Sequence, residues 1–222
     1  MTASVPTGAR PRRGRPRHHE SPRARDRARH GRHAAREVTE MPTGTQLTSI
    51  VEVDLTGVPA DAVLSTVATA AVRAAAAHPS VPGRVDAHGS VVRSLGVHLG
   101  VLDDDGTATV VVQDAQDLTG DAIAARMAGG QHADESPTLA IVDSGSRGAL
   151  LDTPAVGPDR APVLGVGAIV RRPVAMQGDD GEVIVVRAMA HLSMSHDPRL
   201  LSSADAARFL QSVRRDVEEG RA

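Results

Sequence analysis

The sequence predicts a single α/β or α+β domain that follows a disordered tail. Extended and helical patterns alternate from about Pro42 onward, and the turns between them are short. Charge divides the chain at the same place: residues 1–36 hold 11 Arg against two acids, whereas the remainder holds 14 Arg against 25 acids. We therefore predict a basic tail over residues 1–41 and an acidic domain over residues 42–222.

The first half of the domain is predicted as a strand, a helix and a hairpin. Apolar and polar residues alternate over residues 46–55, which indicates a strand. An Ala-rich stretch with apolar residues at helical spacing predicts a helix over residues 59–77. Two β-branched runs, 90–101 and 107–113, are separated by an acidic turn that ends in Gly, which is typical of a β-hairpin.

The second half is predicted to hold two helices and three strands. A helix over residues 119–127 is capped by Thr119 and stopped by two glycines. Strands are predicted over 138–142, 162–170 and 183–195, the last two separated by a Gly-Asp-Asp-Gly turn. A final helix over 204–219 presents an apolar stripe to the core, formed by Phe209, Leu210, Val213 and Val217.

The tail is predicted to be disordered. Between Thr7 and Arg36 it consists mainly of Arg, Pro, His and Gly, so it cannot bury enough apolar surface to offset the entropy of ordering its backbone. A nucleic-acid-binding arm would interleave aromatic residues, and a transit peptide would be amphipathic and rich in Ser. We expect a linker or a wrongly assigned start codon, and nucleic acid is not an expected partner.

Composition excludes several chemistries. All 25 basic residues are Arg, so the chain has no Lys for a Schiff base, a phosphate-binding loop or a lipoyl attachment site. It has no Cys for a disulfide, a thiolate nucleophile or a cysteine-ligated zinc. Its His and Asp clusters lack the spacing of metal sites, and no metal is expected. No apolar run approaches the ~18 residues that span a bilayer, so we expect a soluble, cytoplasmic protein without a membrane partner.

Five collinear stretches resemble the catalytic domain of the dihydrolipoamide acyltransferases, the core subunits of 2-oxoacid dehydrogenase complexes. Residues 45–56 (TQLTSIVEVDLT) are similar to the opening strand of that family, and residues 110–126 (VVVQDAQDLTGDAIAAR) to its "PVI.DA..LSL..IA" segment. The other three are residues 137–154 (PTLAIVDSGSRGALLDTP), 163–173 (VLGVGAIVRRP) and 192–210 (LSMSHDPRLLSSADAARFL), which resemble "GTFTITN.GS.GALFDTP", "ILG.GAIVKRP" and "LSLSYDHR..DGADAARFL". Together they extend over nearly all of residues 42–222.

The resemblance implies a two-layer sandwich like that of chloramphenicol acetyltransferase, with a mixed central sheet and helices on one face. It also implies a homotrimer with each active site in a channel between subunits, which coenzyme A and a lipoyl thiol enter from opposite sides. In this family a His of the HxxxDG motif is the base for the thiol and the nearby Asp organises the site. A Ser or Thr of the neighbouring subunit donates a hydrogen bond to the oxyanion. Imidazole suits the first task because it titrates near neutral pH, and a preorganised donor stabilises charge that exists only in the transition state.

The chain departs from the family at those positions. Pro198 stands where the family has its catalytic His, and Ser202 and Ser203 stand where it has Asp and Gly. Ala140 and Val142 occupy positions that usually carry hydroxyls. Proline has neither a side-chain base nor an N–H donor. By this alignment no catalytic residue is intact.

One nearby side chain is a candidate substitute base. His196 precedes Pro198 by two residues, so on a regular strand both would point to the same side and His196 could approach the channel. The alternative is that His196 is a partly exposed residue at a strand end. His191 has the opposite parity and is less suited to share that channel.

Four other residues have supporting roles in our interpretation. Ser202 and Asp205 have the spacing of a capping box for the final helix. Asp197 and Arg199 match the family, and we interpret them as an ion pair that holds the loop rather than as chemical participants.

We therefore expect an inactive or strongly impaired family member that acts as a structural or regulatory subunit, as a homotrimer or mixed with a full-length acyltransferase. The alternative is an active coenzyme A-dependent acyltransferase in which His196 is the base. A third reading is a decaying or frame-damaged gene, which the unusual tail and a shortened segment after Leu55 would fit. Coenzyme A is a possible ligand, and any lipoyl domain must belong to another protein because this chain has no Lys.

Overall fold

The computed structural model describes residues 45–103, 105–130, 136–157, 161–179 and 181–220, and the predicted tail lies outside them. The described residues form a seven-stranded mixed sheet, a small separate hairpin and a layer of three α-helices. The strands are β1 (Leu47–Asp54), β2 (Gly83–Val85), β3 (Val91–Arg93), β4 (Leu99–Leu102), β5 (Ala108–Val112), β6 (Leu139–Asp143), β7 (Val163–Val166), β8 (Val170–Gly178) and β9 (Gly181–His196). The helices are α1 (Val63–Ala77), α2 (Gly120–Gly129) and α3 (Ser203–Glu218).

The large sheet has the strand order β1-β9-β7-β6-β4-β5, and β8 pairs with the first half of β9. Strands β4, β6 and β7 are parallel to one another, whereas the other pairs are antiparallel. The helices pack against one another, α1 on α2 and α1 on α3, and so form one layer. The predicted α/β fold with a mixed sheet and helices on one face is confirmed.

Register assigns each strand residue to one of two faces. In β1, Val53 pairs with Ala190 of β9, and both are buried in the core beneath the helices. Its neighbour Glu52 pairs with His191 on the opposite face. We refer to the first face as the helix side and to the second as the open side, and residues of β9 with even numbers lie on the helix side.

Helices α1 and α3 supply most of the helix layer's contribution to the core. The apolar stripe predicted for the last helix is buried, and its largest member, Phe209, is fully inaccessible to solvent. Small Ala side chains in α1 let the two helices approach closely, because they leave little volume between the backbones. Together these two helices bury the residues that their periodicity predicted.

The Ala-rich stretch also corrects an expectation from the sequence. Ala60–Ala77, which includes α1 and a short 3-10 turn, has 18 residues with a mean hydropathy of 1.2, so by length and composition alone it could cross a membrane. Half of this stretch is buried inside the domain.

Two predicted strands are each divided in the structure. The run 90–101 breaks after β3, which pairs with the unpredicted β2, and resumes at β4. The run 162–170 ends at Val166, and a new strand, β8, begins at Val170 and continues to Gly178. β8 was not predicted because it contains two charged residues and a proline, Arg171, Arg172 and Pro173. Pro173 is tolerated there because β8 is an edge strand.

β8 and residues 181–188 of β9 form a two-stranded ribbon that continues beyond the rest of the sheet. β1 pairs only with Met189–His196 and β7 only with Leu192–Ser195. Arg172 at the base of the ribbon forms an ion pair with Glu52 of β1, and Arg187 lies 3.6 Å from a carboxylate oxygen of Asp54. These contacts attach the base of the ribbon to β1, whereas its far end has no neighbouring strand among the described residues.

Candidate functional site

The segment that resembles the catalytic motif begins where β9 ends. His196 is the last residue of β9, and the next four residues form a turn in which the backbone N–H groups of Leu200 and Leu201 donate to the carbonyl of Asp197. Ser202 then begins α3. Pro198 lies in this turn, half-buried, and presents only ring carbons.

His196 lies on the helix side of the sheet with 0% of its surface exposed. The regular strand that would have placed it beside Pro198 ends at His196 itself, so strand alternation does not relate the two side chains. The reading of His196 as partly exposed is also wrong. His191, with the opposite parity, lies on the open side with its Nε2 3.9 Å from a carboxylate oxygen of Glu52.

The ring nitrogens of His196 form few hydrogen bonds. Its Nδ1 lies 3.4 Å from the carbonyl oxygen of Met194, and its buried Nε2 has no hydrogen-bond partner among the described residues. Burial lowers the pKa of His196, and the Met194 carbonyl and the Asp197 carboxylate only partly oppose this. The ring is therefore neutral near pH 7, which is the form that can accept a proton.

Asp197 and Arg199 hold the turn together. The Arg199 Nε and Nη2 donate to the two carboxylate oxygens of Asp197 at 2.9 Å and 2.5 Å, and the Arg199 backbone N–H donates to the same carboxylate at 2.9 Å. Asp197 is 2% exposed, and hydrogen bonding to it raises the pKa of Arg199. The two side chains therefore form a bidentate ion pair, and this geometry fits a role in holding the turn.

Ser202 is the N-cap of α3, as its spacing to Asp205 predicted. Its hydroxyl accepts from the Asp205 backbone N–H at 3.1 Å and donates to the Asp205 carboxylate at 2.6 Å. That hydrogen bond, followed by one from Arg208, lowers the pKa of Asp205. The carboxylate reaches the Ser202 hydroxyl rather than its backbone N–H, so the motif is a variant of the capping box. The hydroxyl therefore already forms its hydrogen bonds with the first turn of α3.

Val142, which the resemblance aligns with a hydroxyl-bearing residue of the family, lies far from this turn within one chain. It lies on the open side of β6, 4% exposed, and packs with Ala140 and Val163. Val142 pairs with Gly165, which pairs with Ser193, so two strand spacings and three residues separate Val142 from His196. These steps amount to about 14 Å, and the two side chains point to opposite faces.

A cleft that sequence analysis did not predict lies at the carboxyl ends of β6 and β7. It has a volume of 450 Å³, apolar walls that include Val63, Leu64 and Ile169, and a polar rim that includes Asp61 and Asp143. Its lining contains no Arg or His, so it offers no cation to the phosphates of coenzyme A.

Two glycines allow the loops beside this cleft to pack closely. A Cβ on Gly145 would come within 2.6 Å of the Gly167 backbone, and a Cβ on Gly167 would come within 2.3 Å of the Leu150 carbonyl oxygen. Close backbone approach therefore requires glycine at both positions.

The described residues include no group of three or more His, Asp or Glu side chains placed to hold a metal ion.

Comparison with known proteins places this geometry in a family. The model of the 2-oxoacid dehydrogenases acyltransferase (catalytic domain) family matches residues 57–221. The chain belongs to this family. The acetyltransferase component of the pyruvate dehydrogenase complex of Corynebacterium glutamicum is 34% identical over 224 aligned residues, which cover 82% of this chain and 32% of that protein. The corresponding protein of Mycobacterium bovis is 39% identical over 136 residues, 55% of this chain and 25% of that protein. This family member thus spans about a quarter to a third of the length of these curated relatives.

Solved structures agree on the fold. A probable dihydrolipoamide acetyltransferase from Listeria monocytogenes has a TM-score of 0.67 at 21% identity and covers 93% of this chain and 95% of its own. The cubic core of a pyruvate dehydrogenase multienzyme complex has a TM-score of 0.65 at 21% identity, with 94% and 93% covered. Chloramphenicol acetyltransferase has a TM-score of 0.52 at 15% identity, with 78% and 88% covered. The acyltransferase-family chain therefore has the chloramphenicol acetyltransferase-like fold that its sequence predicted.

Proposed function

We propose that this acyltransferase-family member is catalytically inactive or strongly impaired and acts as a structural or regulatory subunit. The observation that carries the proposal is the lack of an accessible base at the end of β9. Pro198 has no titratable group, and the imidazole nearest to it in sequence, that of His196, is 0% exposed. The other two positions support the same conclusion, because the Ser202 hydroxyl caps α3 and Val142 is buried and apolar.

The proposed assembly is a trimer, formed by this chain alone or mixed with a full-length acyltransferase. The cubic core of the pyruvate dehydrogenase complex, which shares the fold, is an assembly of this type of domain. Within one chain, Val142 and the end of β9 are about 14 Å apart on opposite faces, so a site built from both positions would need two subunits. Coenzyme A would be the acyl donor or acceptor in such a mixed assembly, and another protein would supply the lipoyl group.

Acyl transfer by the purified protein tests the proposal. With acetyl-CoA and dihydrolipoamide as substrates, we expect no transfer above background. The triple variant Pro198→His, Ser202→Asp and Val142→Ser replaces the three missing groups and should give measurable transfer if the channel is retained. The matched control is Ser202→Asp with Val142→Ser, which lacks the base and should remain inactive. Robust transfer by the unmodified protein would contradict the proposal.

A specific observation favours a second candidate, an active enzyme that uses His196 as its base. The Nε2 of His196 has no partner among the described residues, and the lowered pKa keeps the ring unprotonated near pH 7. A thiol that reached this nitrogen could lose its proton to it. Activity that disappears in His196→Ala but survives in His191→Ala would support this candidate and exclude the inactive subunit.

A further inference from the structure

The cleft at the carboxyl ends of β6 and β7 lies on the helix side of the sheet. Asp143, the last residue of β6, pairs with Val166 at the end of β7, and both residues line the cleft. Val166 belongs to the core beneath the helices, and Val63 and Leu64 at the start of α1 close the other side. The turn that carries Pro198 contributes nothing to the lining. The cleft is therefore separate from the positions that the proposed function concerns.

Backbone contacts hold the floor of the cleft in place. The Ser144 N–H donates to the Val166 carbonyl at 3.0 Å. The Gly167 N–H donates to the His191 carbonyl at 2.9 Å, and Gly167 is in direct backbone contact with Gly145. The cleft is thus largely preformed, as ligand sites commonly are, and its volume of 450 Å³ lies within the usual range of about 300–1,000 Å³ for such sites.

The cleft carries a net negative charge. Its charged side chains are Asp61 and Asp143, and neither forms an ion pair with another described residue. The Ser146 backbone N–H donates to Oδ1 of Asp143 at 2.9 Å and orients the carboxylate, whereas Oδ2 has no hydrogen-bond partner in the part of the chain that the structure describes. The N-terminus of α1 adds about half a positive charge, which the two carboxylates outweigh.

The walls beside these carboxylates are apolar, so a ligand must combine an apolar body with a positive charge. An anion would meet two like charges, and a neutral apolar compound would desolvate the carboxylates without a partner. An inorganic divalent cation fits poorly, because calcium takes 6–8 oxygen ligands and the described residues place no third His, Asp or Glu side chain here.

We propose that this cleft binds a small organic cation, a primary ammonium group on an apolar body of about the size of an amino-acid side chain. The body would lie against Val63, Leu64 and Ile169, and the ammonium would donate to Oδ2 of Asp143 near Asp61. A single free oxygen on Asp143 suits the compact ammonium better than a guanidinium, which prefers two parallel hydrogen bonds. The site goes beyond the proposed function, because a catalytically inactive subunit would retain it.

Chemical-shift titration tests the site with three ligands of nearly the same shape. Phenethylamine, which is protonated at pH 7, should shift the backbone amides of Ser146, Gly167 and Ile169 of ¹⁵N-labelled protein in a saturable way. The neutral 2-phenylethanol and the anionic 3-phenylpropionate should bind at least 10-fold more weakly, because they lack the charge that the rim recognises.

A substitution that removes one negative charge from the rim tests the role of the carboxylate. Asp143→Asn keeps an oxygen to accept from the Ser146 N–H, so the loop is retained, and it should weaken phenethylamine binding about 5-fold. The matched control is Asp121→Asn, which makes the same change of charge at an exposed position of α2 and should leave binding unchanged.

The outcomes are separate from those of the acyl-transfer assay. Equal affinities for phenethylamine and 2-phenylethanol would overturn the proposal, and so would unchanged binding in Asp143→Asn or shifts confined to residues outside the cleft. If the shifts arise only after dilution has dissociated an oligomer, a second copy of the chain covers the cleft and the small-cation site is wrong. A protein without transferase activity that binds phenethylamine at the cleft supports this site, whatever the fate of the proposed function.

Discussion

At the scale of single residues, His196 combines full burial with an unpartnered ring nitrogen. Leaving a buried polar atom without a hydrogen bond costs about 1–3 kcal/mol. The neighbouring Asp197 does not relieve this cost, because its carboxylate oxygens bind Arg199. Such a position is unusual, because the large majority of buried side-chain polar atoms in folded proteins have a hydrogen-bond partner.

We expect His196→Leu to raise the free energy of unfolding by about 1 kcal/mol at pH 7, because it removes the unsatisfied nitrogen and keeps a similar volume. The variant should also be less sensitive to acid. Since burial lowers the folded-state pKa of His196, its contribution to stability is complete above the ordinary value of 6.5 and is lost as pH falls below it.

Urea denaturation at pH 7 and pH 5 measures both effects. The unmodified protein should lose more stability between the two values than His196→Leu does. His78, whose pKa burial also lowers, remains in both proteins and gives each the same residual loss. Leu164→Val is the control: it lowers stability in the core without changing the pH dependence. An equal loss in the unmodified protein and in His196→Leu would show that His196 is not the group that titrates.

At the scale of elements, the sequence predicted those parts whose composition or periodicity is distinctive. α3 buries one apolar stripe and β1 alternates polar and apolar residues, so both patterns are visible in the sequence. α1 was recognised by its Ala-rich composition, and it buries residues around most of its circumference. β8 was missed because it is mostly exposed and contains Arg-Arg-Pro, which removes the burial that produces alternation. Exposed strands depend on a partner strand rather than on their own pattern, and a single sequence does not reveal that partner.

The start of α3 gives a prediction at this scale. Ser202→Ala removes the acceptor for the Asp205 backbone N–H and should cost about 1 kcal/mol of stability. Ser202→Thr keeps the hydroxyl and should cost less than half of that. Thermal unfolding of the three proteins measures the difference. Equal melting temperatures for the Ala variant and the unmodified protein would mean that the cap is not needed.

At the scale of the whole molecule, the site that we propose would need two chains, because Val142 and the end of β9 lie about 14 Å apart on opposite faces. The replacement of family residues at Pro198, Ser202 and Val142 stays a prediction, because it rests on the alignment of this sequence with the family motifs. The sequence could not predict that His196 is fully buried, since that depends on where β9 ends and on the packing of the helix layer. Nor did it reveal the ribbon, which requires the pairing of β8 with β9.

A mixed trimer with an active homologue gives the prediction at this scale. The resemblance implies that each site takes its base from one subunit and its hydroxyl from the next, so one inactive subunit impairs two neighbouring sites. A trimer with one inactive subunit should then retain roughly one third of the activity. Co-expression at several ratios, followed by assays of the purified mixed complexes, tests this. A decline in direct proportion to the active fraction would indicate that each subunit acts alone.

The length of β9 has a consequence for how this family member can change over time. One continuous strand of 16 residues carries the ribbon at one end and leads into the turn with Pro198 at the other. Because β8 pairs with its first half and β1 with its second half, the backbone of β9 is held throughout its length. The last few side chains can then lose their chemical identity without any loss of the scaffold. Chemistry can in this way be lost within a few residues at the end of a strand while the fold itself is kept.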